Sequence, residues 1–208
     1  MIVTDIVEVT KAKSRVFLDG EFAFVLYKGE LRLYKIQKGK EMEQDILDEI
    51  CQVLLPKRAK KRSMMLLQKK DYTEEELRRK LKEGEYPKEA IEEAVSYVKS
   101  FRYIDDDRYC RAYINCYGFK WSRQQIMTKL MNKGLDKKKI IQVYEEMMHE
   151  GEIEDVEERL IQDILRKKQY DAETADWKMR QKMYNHLAYK GFSSDKIRRI
   201  LGEVTYET

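Results

Sequence analysis

Five apolar slots recur three times along this chain, and the recurrence constrains its fold more than any single motif. Leu77, Leu81, Tyr86, Ile91 and Val95 are matched 49 positions later by Ile126, Leu130, Leu135, Ile140 and Tyr144, and after a further 57 by Met183, Leu187, Phe192, Ile197 and Leu201. In each copy two apolar residues four apart share one helix face, a break follows, and two more four apart begin another helix. Periods of roughly 20 to 50 residues mark stacked arrays whose units cannot bury an apolar face alone. The spacing predicts a mainly α chain of tandem helical repeats in an elongated array, suited to lie along a partner rather than enclose a small molecule.

The first 36 residues read differently. Val16-Phe17-Leu18 and Phe22-Ala23-Phe24-Val25-Leu26 flank Asp19-Gly20, a pair that supplies the positive φ of a type I′ hairpin. Ile2 to Val9 reads as an opening strand, and Lys28-Gly29 as a second turn into Leu31-Arg32-Leu33-Tyr34. The expectation is a small antiparallel sheet of three or four strands, packed on a following helix with an Ile46, Leu47, Ile50, Val53, Leu54 stripe that ends at Pro56.

From Lys57 the helical period takes over, giving residues 1–56 as the β region plus helix and three-helix repeats at 57–101, 102–150 and 151–208. The first repeat has helices from about Arg58 to Lys69, Thr73 to Lys82 and Lys88 to Lys99. Thr73 and Glu76 have capping-box spacing, Ser122 holds the matching position, and Asp136 suits the cap of a third helix. Glu85 stands in the turn slot that Gly134 and Gly191 fill in the other copies.

Charge is segregated. Lys57 to Lys82 carries 11 Lys/Arg against 4 acids, whereas Glu145 to Glu158 carries 8 acids and no Lys or Arg, although the net formal charge is only +4. Such asymmetry favours an anionic partner for one part and a basic or repulsive face for another. The acidic link, with Gly151, reads as a helix end with a polar loop or as a hinge. The apolar run that contains Ala23 to Tyr27 is far short of the ~20 residues that span a bilayer, and the opening residues carry no leader pattern. Three cysteines without close pairing fit a reducing compartment. A cytoplasmic protein with no membrane contact is expected.

Asp105-Asp106-Asp107 is the most enzyme-like feature, because clustered carboxylates can hold Mg²⁺ for nuclease chemistry. Its place at a helix start instead suits free N–H groups and the macrodipole, with Tyr109, Ala112, Tyr113 and Cys116 as the buried face behind it. The two histidines, His149 and His186, lie in different repeats, and no phosphate loop or nucleophile motif is present. No enzymatic activity, metal or cofactor is expected. Basic residues beside aromatics carry more weight: in Phe119-Lys120-Trp121-Ser122-Arg123, followed by Lys129 and Lys133, the last two lysines fall four apart on one helix face near large aromatics. Such a stripe would give salt-sensitive phosphate contacts, with aromatics to stack on bases or fill a groove. Trp121 itself reads first as a staple onto its own helix.

Three segments, Tyr72 to Leu81, Tyr103 to Tyr109 and Ile126 to Leu135, together resemble the RecX family, modulators of the RecA recombinase, in order and spacing over about residues 57 to 201. Arg102 stands where that family often has glycine. The resemblance implies tandem three-helix repeats in an elongated, curved body that binds the RecA filament on single-stranded DNA. It implies inhibition of strand exchange, ATP hydrolysis and coprotease activity from the filament groove, by a protein expected to act as a monomer. Candidate contacts to RecA or its DNA are Arg58, Lys61, Arg62, Arg78, Arg79, Lys120, Arg123, Lys129, Lys133, Lys182 and Arg198. A helical-repeat nucleic-acid reader independent of RecA is the competing reading.

Overall fold

The structure, a computed structural model, describes residues 1–202. Positions 203–208, assigned above to the third repeat, lie outside the described residues. The chain forms two compact units, Met1–Asp105 and Asp106–Thr208.

The first unit opens with three antiparallel strands in sequential order, β1 (Val3–Thr10), β2 (Lys13–Leu18) and β3 (Glu21–Tyr27). Asp19 at φ 48° and Gly20 at φ 92° make the expected tight hairpin. Ser14, Val16 and Leu18 alternate onto the covered face of β2, and Val16 pairs with Phe24 across the ladder. Among the described residues no fourth strand forms. Lys28–Leu33 is a short helix, α1, entered where the Tyr27 amide donates to the Glu30 carboxylate at 2.7 Å. That local cap outcompetes the strand propensity of Leu31 to Tyr34.

Pro56 does not end the helix before it. Residues run from α2 (Gln44–Glu49) through a π-helical turn (Ile50–Leu54) into α3 (Leu55–Leu67) without leaving helical geometry. Within that turn the Leu55 amide reaches back five residues to the Ile50 carbonyl. A proline removes one helical donor and crowds the carbonyl four residues earlier, and the wider turn provides the room. With α4 (Glu74–Glu83) and α5 (Lys88–Ser100), α3 completes a three-helix repeat. The sheet and this repeat share one core, in which Val3, Val16, Phe24 and Leu26 meet Ile50, Leu55, Leu77 and Val95.

The second unit holds two further repeats: α6 (Asp106–Tyr117), α7 (Arg123–Asn132) and α8 (Lys137–His149), then α9 (Glu157–Lys167), α10 (Trp177–Tyr189) and α11 (Ser194–Leu201). Of the fifteen repeat positions, all are buried except Tyr86 and Tyr144, which are half-buried. The expected caps form: Thr73 with Glu76 and Ser122 with Gln125 are reciprocal boxes, and Asp136 accepts from the Lys138 and Lys139 amides. In the third repeat the cap of the middle helix is Asp176, which accepts from the Met179 amide at 2.7 Å.

The turns repeat as closely as the core. Tyr86, Leu135 and Phe192 each donate an amide to the carbonyl five residues back, of Leu81, Leu130 and Leu187. That closure needs a left-handed residue just before the donor. Gly134 and Gly191 supply it at φ 93° and 81°, and Glu85 adopts it at φ 58° despite its side chain. The third helices end the same way, with Arg102 at φ 55° in the slot that Gly151 fills at φ 72°.

Candidate functional site

On α6 the tyrosines at 109, 113 and 117 recur every four residues and line one side of the helix. Trp121, in the turn to α7, continues the row: its ring stacks on Tyr117 at 4.3 Å between centroids and 7° between planes. Tyr113 lies 4.6 Å from Tyr117 and 6.3 Å from Tyr109, so four half-buried rings form a continuous ladder. The α7 segment crosses it and brings cations onto the rings. Lys129 Nζ sits 4.5 Å from the Trp121 centroid, and Lys133 Nζ sits 5.5 Å from Tyr109 and 5.9 Å from Tyr113. Burial pushes the Tyr113 hydroxyl pKa up, with Lys133 pulling the other way. Tyr113 therefore stays neutral at physiological pH beneath a positive edge.

Trp121 thus packs, half-buried, against the core of its own repeat and at the same time stacks on the ladder. Ala112 and Cys116, expected on the buried face, are exposed instead, and Cys110 and Ile114 take that role. A stripe centred on Cys110 and Ile114 leaves Tyr109, Tyr113 and Tyr117 at its border, where α7 reaches them. Burial drives the Cys110 thiol to a pKa of about 11, so it stays protonated and unreactive at neutral pH.

At the end of the ladder, Lys120 Nζ lies 4.9 Å from the exposed Phe119 ring, and Arg123 lies 4.8 Å from Tyr144. Arg123 is also 3.8 Å from Glu145, while its amide donates to Glu157 at 2.9 Å. Lys120, Arg123, Lys129 and Lys133 accordingly cluster in one repeat. Lys182 and Arg198 are exposed on α10 and α11 of the same compact unit.

In the first unit Lys61, Arg62 and Arg79 are exposed, whereas Arg78 is half-buried and gripped by Glu74 at 2.7 Å and Glu92 at 2.5 Å. Arg58 is turned inward. Its side chain, 14% exposed, donates to Glu30 at 3.1 Å and to the Val25 carbonyl at 3.0 Å, and lies over the Tyr27 ring at 4.3 Å. Arg58 belongs to the internal packing of sheet on repeat and is left out of the proposed contact face.

The acidic link is answered internally by residues the spacing did not single out. Arg111 reaches Glu146 at 2.9 Å, Glu150 at 2.7 Å and Glu152 at 3.3 Å. Lys196 reaches Asp155 at 2.5 Å and Glu157 at 2.9 Å. Burial raises the Asp155 pKa, but hydrogen bonds from Lys196 and the Glu157 amide outweigh it and hold the carboxyl below its ordinary value. Asp107, in the first turn of α6, pairs with Lys139 at 2.7 Å. Among the described residues no group of three or more His, Cys, Asp or Glu could hold a metal ion, and no helix is long and apolar enough to cross a membrane.

Comparison with known proteins agrees with this architecture. Residues 59–97 match the family model for the first three-helix domain of RecX, and residues 155–201 match that for its third three-helix domain. The regulatory protein RecX of Caldanaerobacter subterraneus subsp. tengcongensis is 31% identical over 204 residues, spanning 97% of this chain and 98% of that protein. The regulatory protein RecX of Clostridioides difficile is 26% identical, spanning 98% and 95%. A crystal structure of regulatory protein RecX shares the fold at a TM-score of 0.61 and 22% identity, over 98% of this chain and 99% of that one. RecX from Lactobacillus salivarius follows at a TM-score of 0.58 and 19% identity, over 72% and 96%.

Proposed function

The chain belongs to the RecX family of regulatory proteins, and from that premise we propose that it binds the RecA filament on single-stranded DNA in the cytoplasm and restrains RecA's recombinase, ATPase and coprotease activities. The observation that supports a direct physical role is the ladder of Tyr109, Tyr113, Tyr117 and Trp121 beneath Lys129 and Lys133. A row of rings edged by cations can meet a protein groove through apolar area and the filament's DNA through phosphates. Lys120 and Arg123 extend the positive edge, and Lys61, Arg62, Arg79, Lys182 and Arg198 are the remaining exposed candidates.

Inhibition follows from differential affinity. A regulator that binds a shortened or capped filament more tightly than a growing one shifts assembly by that difference alone. No bond-making residue is required, and the protein acts as a monomeric binder without a cofactor.

RecA ATPase on single-stranded DNA, measured with this protein added at a low molar ratio, tests the proposal. Suppressed turnover is expected; unaltered turnover would return the chain to a general nucleic-acid-binding role. That second reading draws on the same ladder, since aromatic platforms beside lysines also suit unpaired bases. The two separate in DNA binding without RecA: the regulator should bind weakly and lose affinity steeply with salt, whereas a sequence reader should keep a salt-resistant, sequence-dependent component.

A further inference from the structure

The first compact unit contains a cleft of about 690 Å³ between the end of β3 and the first repeat, within the range of small-ligand sites. Its walls are unusually cationic. Arg58 and Lys80 line it, and each has an acid on the same wall: Glu30 at 3.1 Å from Arg58 and Glu83 at 2.7 Å from Lys80. Lys13, Lys61 and Arg62 line it as well, and none of these three has an ion pair with an acid among the described residues. The cleft thus holds an excess of three positive charges. Lys13 and Arg58 both lie over the Tyr27 ring, at 5.1 and 4.3 Å, which fixes two of the cations at the rim of one platform. Arg58 also has a buried Nε with no acceptor among the described residues, a donor that costs stability unless something accepts from it.

Concentrated, partly preorganised cation donors with a deficit of acceptors are what a phosphate group requires. The two cations already over the Tyr27 ring argue against base stacking as the principal contact. We propose that this cleft is a phosphate-binding site, with Lys13, Lys61 and Arg62 as the charge-matching residues and Arg58 as a further donor. Its ligand is a multiply charged phosphate, either free or carried on a nucleic-acid strand. The site goes beyond the filament reading and does not depend on it, because its test contains no RecA.

The test titrates the full-length protein with inorganic pyrophosphate by calorimetry at low salt, in the wild type and in the Lys61→Glu, Arg62→Glu double variant. Both side chains are exposed, so the variant should keep its helicity and melting temperature. Saturable binding weakened by about tenfold or more in the double variant is expected, as loss of one charged hydrogen bond of ordinary strength implies. The charge-matched control Lys137→Glu, Lys138→Glu, at two exposed residues of α8 in the second unit, should leave it unchanged. Absence of saturable binding, or equal weakening by the α8 control, would overturn the site, the latter because net charge alone would then explain the affinity. With binding established, displacement of pyrophosphate by oligo-dT identifies the strand as the phosphate source, and failure to displace it identifies a free phosphorylated ligand.

Discussion

The Ser122 hydroxyl donates to the Lys190 carbonyl at 2.6 Å while accepting from the Gln125 amide at 3.2 Å, so one fully buried side chain both caps α7 and ties the second repeat to the turn of the third. Ser122→Ala removes the cap and leaves a carbonyl and an amide short of partners. The expected loss is about 1–3 kcal/mol in urea unfolding. A loss under about 0.5 kcal/mol would mean the hydroxyl carries neither task.

Gly191 lies in that same turn, at φ 81°, where a Cβ would fall 2.8 Å from Gln124 Cβ. Gly191→Ala meets both an unfavourable backbone region and a collision across the junction. It should cost more than about 1 kcal/mol. Gly20, also at positive φ but with open space around it, is the control: Gly20→Ala should lose only the backbone contribution. Equal losses at the two sites would show that the repeats do not press together at Gly191.

Glu85 occupies the left-handed slot with a side chain, and that side chain bonds Arg15 at 2.7 Å between repeat and sheet. Two effects oppose each other. Glycine relieves roughly 1 kcal/mol of backbone cost, while the exposed ion pair is worth about 0–1 kcal/mol. Glu85→Ala loses the pair and keeps the strain, whereas Glu85→Gly loses both. The glycine variant should therefore be the more stable of the two by about 1 kcal/mol in thermal unfolding, and parity between them would contradict the left-handed geometry.

The features legible in the sequence are those decided within a few residues. Thr73 and Glu76, or Ser122 and Gln125, make their bonds three positions apart, so their spacing alone announces a helix start. The apolar slots and the glycine equivalence of Glu85 are local in the same sense. Distant partners decide the rest. Arg58 reads as one cation in a basic run, yet its position is set by Glu30 and the Val25 carbonyl, 28 and 33 residues earlier. Pro56 reads as a stop signal because the compensating π turn has no signature of its own. For the ladder, the four-residue spacing of Tyr109, Tyr113, Tyr117 and Trp121 is written in the chain, as is that of Lys129 and Lys133. Their meeting depends on how α7 crosses α6, which no spacing specifies.

His186 offers a pH-dependent test of the third repeat. Burial lowers its pKa below the ordinary value of 6.5, and the charges of Lys190 and Lys168 lower it further. The unfolded chain therefore binds the proton more readily, and stability must rise with pH through this window. The contribution is complete above pH 6.5 and declines as pH falls through that value, well before carboxylates titrate. The melting temperature of the wild type should drop between pH 7 and 5.5, and His186→Gln should flatten that drop. An unchanged slope in the variant would assign the effect elsewhere.

Reversal of charge at Lys129 and Lys133 bears most directly on the filament reading. Both ammonium groups lie over rings of the ladder, and an exposed contact of that kind contributes about 0.5–1 kcal/mol, so the double variant Lys129→Glu, Lys133→Glu should remain folded with a modestly lower melting temperature. Its effect on a phosphate-bearing or acidic partner should be far larger, because two attractive charges become two repulsive ones at the centre of the proposed surface. Suppression of RecA ATPase should then need a higher protein concentration, and raising the salt should narrow the gap between variant and wild type as both charges are screened. Unchanged suppression together with unchanged helicity would remove the α6–α7 ladder from the contact surface and turn attention to Lys182 and Arg198 on the third repeat.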